Sequence, residues 1–111
     1  VKSYTPDRGD LIWLDFDPSS GKEIVKRRPA FVISRNKFNE HLGLAIVAPI
    51  TSTVRGIRLE VVLPETLETR GSVLVYQLKT LDYLERKVAF IEKAPHEVVE
   101  AVDRIVRVIT S

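Results

Sequence analysis

"AFVISRNKFNEHLGLAIVAPI" (residues 30–50) holds two short apolar runs on either side of a polar segment. "AFVIS" (30–34) and "LAIVAPI" (44–50) are rich in β-branched side chains and read as buried strands. The intervening "RNKFNEHLG" (35–43) predicts one helical turn closed by Gly43. Upstream, "LIWLDFD" (11–17) alternates, with Ile12, Leu14 and Phe16 on one face and Trp13, Asp15 and Asp17 on the other. Downstream, "IRLEVVL" (57–63) alternates again with Leu59, Val61 and Leu63 inward. "PETLETRG" (64–71) reads as a short helix or turn with Pro64 at its start and Gly71 past its end. "SVLVYQLKTL" (72–81) predicts one long strand presenting Gln77 and Lys79 on the same face, and "RKVAFIE" (86–92) the last strand.

The tail changes period. Val98, Val102, Ile105 and Ile109 recur at helical spacing, and Val99 and Val106 widen the stripe. Pro95 suits the first turn, while Glu97 and Arg104 with Arg107 match the two ends of the helix dipole. Six or so short strands and a terminal helix make a mainly β fold, a small β-barrel with α additions.

Length and composition set the outer bounds. At 111 residues, with no repeat, linker or low-complexity tract, residues 1–111 read as a single domain. There is no cysteine, which removes disulfides, thiolate metal sites and a cysteine nucleophile, and fits a reducing cytoplasm. No apolar run approaches a membrane span, and the N-terminal "VKSYTPDRGD" is unlike a signal peptide. Seventeen basic and 15 acidic residues leave a net charge of +2, too small to identify a nucleic-acid binder. The distribution says more: basic residues gather at 22–28, and acids at 7–17 and 92–103.

Candidate chemistry is sparse. His41 and His96 lie far apart in predicted helical segments, and no histidine, carboxylate or cysteine spacing suits a metal, so no metal and no cofactor are expected. "GKEIVKRRP" (21–29) is the informative stretch. Arg28 stands where a loop becomes a strand, with Pro29 fixing the backbone behind it, and a guanidinium there binds phosphate oxygens bidentately. Glu23 lies earlier in the same loop as a base or orienting partner. Taken alone, the stretch also fits a solvated loop with Arg28 in a surface ion pair. "PITST" (49–53) ends the buried strand in Thr51, Ser52 and Thr53; a hydroxyl here either terminates the ladder or bonds a phosphate.

Several stretches together are specific where each alone is weak. "RGDLIWLDFDPSSGKE", "RRPAFVIS", "VAPITS", "VYQLKTL" and the closing helix, in this order, resemble the MazF/PemK (Kid-type) toxins of bacterial toxin–antitoxin systems from about Asp7 to the C-terminus. The resemblance implies a small SH3-like barrel of the CcdB/Kid/PemK kind with a C-terminal helix, forming a homodimer. It implies a metal-independent endoribonuclease, an mRNA interferase, that cuts single-stranded RNA and leaves 2′,3′-cyclic phosphate and 5′-hydroxyl ends. By the same resemblance Arg28, Thr51 and Glu23 are the catalytic candidates. Lys26, Arg27, Asp17, Ser52, Gln77, Lys79 and Trp13 are the candidate RNA contacts. An acidic MazE-like antitoxin is the implied partner. The segment Ile24–Arg27 departs from the family's usual glutamine and small residues after the loop glutamate, although the spacing from Glu23 to Arg28 is kept. A same-fold toxin that acts by binding, like the gyrase-poisoning CcdB type, is the alternative.

Overall fold

The computed structural model describes residues 3–16 and 27–111. In chain order it comprises β1 (Asp10–Asp15), β2 (Arg27–Val32), α1 (Asn36–Leu42), β3 (Ala45–Thr51), β4 (Glu60–Val62), β5 (Ser72–Leu74), a 3-10 turn (Val75–Gln77), β6 (Lys79–Leu81), β7 (Ala89–Lys93) and α2 (His96–Thr110). The strands pair antiparallel in the order β4-β5-β3-β2-β1-β7, and β6 pairs with the other half of β3. This is the expected mainly β fold with a C-terminal helix.

The near-continuous apolar runs of β2 and β3 have a direct cause, because the sheet is buried on both faces. Leu11, Phe31, Ala48, Ile50, Val73 and Val75 form one core with Val98 and Val102 of α2. Ile12, Leu14, Ala30, Val32 and Val47 form the other with Leu81 and Tyr83. Alternate residues of one strand therefore serve different cores. Trp13 breaks this pattern and is 40% exposed. At the α1 end, Gly43 closes the helix at φ 72 and its N–H reaches the Asn39 carbonyl at 2.8 Å. The buried Asn39 amide donates to the Pro6 and Ser34 carbonyls, which ties the N-terminal segment to α1.

The structure corrects the sequence reading at several places. The long strand at 72–81 is broken, since β5 pairs with Ile50 and Thr51 whereas β6 pairs with Ala45–Val47. The 3-10 turn carries the chain past Ala48 and Pro49, and α2 packs against it. Gln77 and Lys79 consequently belong to a turn and a short strand, not to one ladder face. In "IRLEVVL" Leu63 is buried and Val61 packs against the core as expected, but Leu59 is exposed and its neighbour Glu60 is buried. That inversion is possible because four donors, described below, satisfy the Glu60 carboxylate. Of the two readings of "PETLETRG" the structure takes the turn, since residues 65–69 are turn and bend without a helix. The last strand starts only at Ala89, after a turn at Tyr83–Lys87 in which Lys87 takes φ 56. Ile109 is 41% exposed, because the last turn of α2 runs beyond the core that Val98 and Val102 fill.

Candidate active site

In an antiparallel pair the beginning of one strand lies beside the end of the next. β2 and β3 pair through Ala30↔Pro49, Phe31↔Ala48 and Val32↔Val47, so the entrance of β2 and the exit of β3 share one edge of the barrel. There Arg27, Arg28, Pro29, Ile50, Thr51, Ser52 and Arg70 line an open cleft of about 320 Å³. Residues distant in sequence but singled out as candidates, Arg28 with Thr51 and Ser52, thus meet in one place.

Their surroundings differ. Arg28 is half-buried, opposite Leu14 on β1, and makes no ion pair among the described residues. Arg27 is engaged: its guanidinium donates to Asp15 Oδ1 at 3.1 Å and to the Lys87 carbonyl at 2.7 Å. Adjacent arginines on a strand point to opposite sides, so one is tied to β1 and the β6–β7 turn while the other borders the cleft without an ion pair among the described residues. Thr51 accepts the Thr53 N–H at Oγ1 (3.2 Å), which leaves its own hydroxyl hydrogen to donate outward.

Two carboxylates, the buried Glu60 and the partly buried Glu92, clamp backbone segments that border this cleft. Glu60 is 8% exposed and accepts the N–H groups of Arg55 (3.0 Å), Gly56 (2.5 Å) and Ile57 (3.1 Å) and the hydroxyl of Ser72 (2.7 Å). The Ser72 hydrogen bond, helped by the backbone donors, holds its carboxyl below the ordinary glutamate value against the opposing effect of burial. Ser72 pairs with Thr51 in the sheet, so this clamp fixes the loop that follows Thr51 at both ends. Glu92 plays the same part for the turn before β5. Burial disfavours its charge, but the Thr69 hydroxyl (2.7 Å), the Thr69 N–H (2.8 Å) and the Glu68 N–H (3.2 Å) outweigh it and keep the carboxyl low.

Of the other candidates, Gln77 and Lys79 do not line the cleft. The Gln77 amide and Arg55 donate to the Tyr76 hydroxyl at 3.3 Å each, and the Lys79 ammonium sits 5.7 Å from the centre of the Phe16 ring. Trp13 lines a neighbouring cleft. Glu23, Lys26 and Asp17 lie outside the described residues. His41 and His96 are both exposed, and His96 contacts Glu100 of its own helix at 3.1 Å. Among the described residues no group of three or more histidine or acidic side chains is placed to hold a metal ion, and no helix is long and apolar enough to cross a membrane. Sequence reasoning missed Glu60 and Glu92, whose carboxylates carry no motif, and Arg70, an isolated arginine in a turn. Gly71 did carry a signal, since a glycine at a strand entrance marks a turn or a close backbone approach.

A small antiparallel barrel, closed by a C-terminal helix and opening an arginine-lined cleft between two strand ends, is the class of protein that these features define. Residues 7–110 match the PemK-like, MazF-like toxins of type II toxin–antitoxin systems, and the chain belongs to that family. It is 41% identical over 86 residues to the endoribonuclease toxin MazF of Escherichia coli K12, covering 78% of this chain and 77% of that protein. To the endoribonuclease toxin ChpB of the same strain it is 40% identical over 105 residues, 90% of each chain. Among solved structures, MazF of Deinococcus radiodurans superposes with a TM-score of 0.88 at 36% identity, covering 96% of this chain and 97% of that one. A MazE–MazF complex of the same organism gives 0.90 at 36% identity, covering 98% and 100%.

Proposed function

We propose that this protein is the toxin of a toxin–antitoxin pair and that it acts as an endoribonuclease on single-stranded RNA without a metal ion. The observation that carries the reading is the meeting of Arg28 and Thr51 in one open cleft, with the Arg28 fork unpaired among the described residues. RNA brings its own nucleophile, so the protein has to align the 2′-hydroxyl, receive its proton and stabilise the charge that grows on phosphorus-bound oxygens. Arg28 grips the non-bridging oxygens through two parallel N–H donors. Thr51 donates its hydroxyl to the same phosphate. The 2′-oxygen bonds to phosphorus as the bond to the 5′-oxygen breaks and that oxygen takes a proton from water, giving a 2′,3′-cyclic phosphate and a 5′-hydroxyl. Glu23 is the candidate base for the 2′ proton. Ser52 and Arg27 border the cleft where the strand runs on, and Lys26, Asp17, Gln77 and Lys79 are assigned to RNA outside it on family grounds.

Relatives of this length and identity are endoribonucleases by name, and the gyrase-binding alternative finds no support among them. MazE–MazF complexes support an antitoxin as partner, for which an acidic segment complementary to the basic cleft is the chemistry expected. Two copies of the chain are proposed to pair, covering apolar side chains left exposed such as Val62, Val108 and Ile109. The site of action is proposed to be the cytoplasm.

The direct test incubates the purified protein with a long single-stranded RNA in chelator and determines the fragment ends by mass spectrometry. Discrete cuts ending in cyclic phosphate are expected, with the rate lowered about 10²-fold or more in Arg28→Ala, the range for losing one transition-state donor. Intact RNA across varied sequences, or equal cutting by Arg28→Ala, would overturn the reading.

A further inference from the structure

The cleft does not end at Arg70. A second cavity of about 210 Å³ is lined by Trp13, Pro29, Glu68, Thr69, Arg70 and Ile91, and it shares Pro29 and Arg70 with the first. Its floor is apolar. Trp13 and Pro29 are direct cross-strand partners on β1 and β2, and Ile91 comes from β7 on the other side of β1. Arg70 stands at the junction of the two cavities, exposed and with no ion pair among the described residues.

The backbone that carries Arg70 is fixed on both sides. Before it, the Thr69 N–H and hydroxyl are bound to the Glu92 carboxylate of β7. After it, Gly71 presses against the Thr51 carbonyl, to which a side chain at Gly71 would come within 1.9 Å. The origin of the Arg70 side chain is therefore set relative to Thr51 and hence to Arg28. A fixed guanidinium between a polar phosphate cleft and an indole–proline floor matches a nucleotide, with its phosphate on one side and its base on the other.

We infer that Arg70 holds the phosphate next to the scissile one and that the Trp13–Pro29–Ile91 cavity seats the nucleoside attached to it. The inference rests on the ribonuclease reading and extends the substrate-binding surface by one nucleotide beyond Arg28 and Thr51. Arg70 acts here as a positioning and binding residue; the reacting phosphate stays with Arg28.

The test uses a short RNA containing one cut site mapped with the wild-type protein. Copies carry a single neutral methylphosphonate at each phosphate around the cut, or an abasic position at each neighbouring nucleotide. For the wild-type protein, one neighbouring methylphosphonate should lower kcat/KM about tenfold, the scale of one charge-assisted contact. Arg70→Ala, checked by thermal melting to be folded, should cut the normal RNA about tenfold more slowly yet be nearly indifferent to that same replacement. Trp13→Ala should likewise lose its sensitivity to the abasic position adjoining that phosphate. If Arg70→Ala cuts at the wild-type rate, or keeps the full methylphosphonate penalty, the inference is wrong while the ribonuclease reading stands, and another occupant such as the antitoxin takes the second cavity. If the wild-type protein cuts no RNA, both fall.

Discussion

Gly71 lies against the backbone of Thr51 so closely that a Cβ atom on it would sit 1.9 Å from the Thr51 carbonyl oxygen and 2.7 Å from its carbonyl carbon. The residue also takes φ +112, a conformation that side chains with a Cβ rarely adopt. The close approach is what joins β5 to the end of β3, and it sets the position of the threonine at the cleft. Gly71→Ala should destabilise the protein by about 2 kcal/mol or more, by overlap and strain together. It should also slow RNA cleavage under conditions where the variant is still folded. Urea melts beside cleavage rates check this, and an alanine variant with wild-type values for both would show that the two backbones separate at no cost.

Arg28→Lys keeps the charge but loses the planar fork. If the guanidinium holds two oxygens of one phosphate, cleavage should fall about tenfold or more although the net charge is unchanged. Folding stability should stay within about 0.5 kcal/mol, because the side chain borders an open cleft and makes no ion pair among the described residues. A lysine variant with full activity would reduce Arg28 to a point charge.

Arg27 tests the opposite assignment one residue away. Its guanidinium already bonds Asp15 and the Lys87 carbonyl, joining β2 to β1 and to the turn before β7. Arg27→Ala should lower stability by up to about 1 kcal/mol, as expected of an exposed ion pair. Its effect on cleavage should be much smaller than that of Arg28→Ala. Equal losses of activity at the two positions would contradict the division of labour.

The two clamping carboxylates predict how stability responds to acid. Glu60 and Glu92 both titrate lower in the folded protein than the ordinary glutamate value of 4.5. Folding therefore favours their ionised forms. The contribution is complete above pH 4.5 and is lost as the pH falls through the lowered folded values, where the unfolded chain has already bound the protons. Urea midpoints measured from pH 7 down to about 3 should decline in the wild-type protein. Glu60→Gln and Glu92→Gln should each be less stable at neutral pH and show a shallower decline. Parallel acid curves for wild type and variants would remove these carboxylates from the account.

The parts that were legible from residues alone share one property, which is that local chemistry and burial agree. Gly43 after the polar run ends α1 because a left-handed residue is needed there, and Val98 and Val102 mark the buried stripe of α2 at helical spacing. "AFVIS" and "LAIVAPI" are strands because both of their faces meet a core. Arg28 before Pro29 and the hydroxyl at Thr51 were visible as types, and their order along the chain sufficed for the family. Leu59 and Ile109 were misread because period assigns a face without knowing whether anything covers it. The strand at 72–81 was misread because alternation continues through a 3-10 turn whose cause is elsewhere, in the split pairing of β3 and the packing of α2.

Amino-acid order was enough to settle the class of fold and the family and to single out the two residue types proposed for the chemistry, since periodicity, turn residues and short motifs act over a few neighbours. It could not bring Arg28 to Thr51, or set Arg70 beside both. Those distances depend on which strand ends the antiparallel register places together. They depend also on the carboxylates of Glu60 and Glu92, whose partners are backbone N–H groups and hydroxyls that only the folded chain assembles around them.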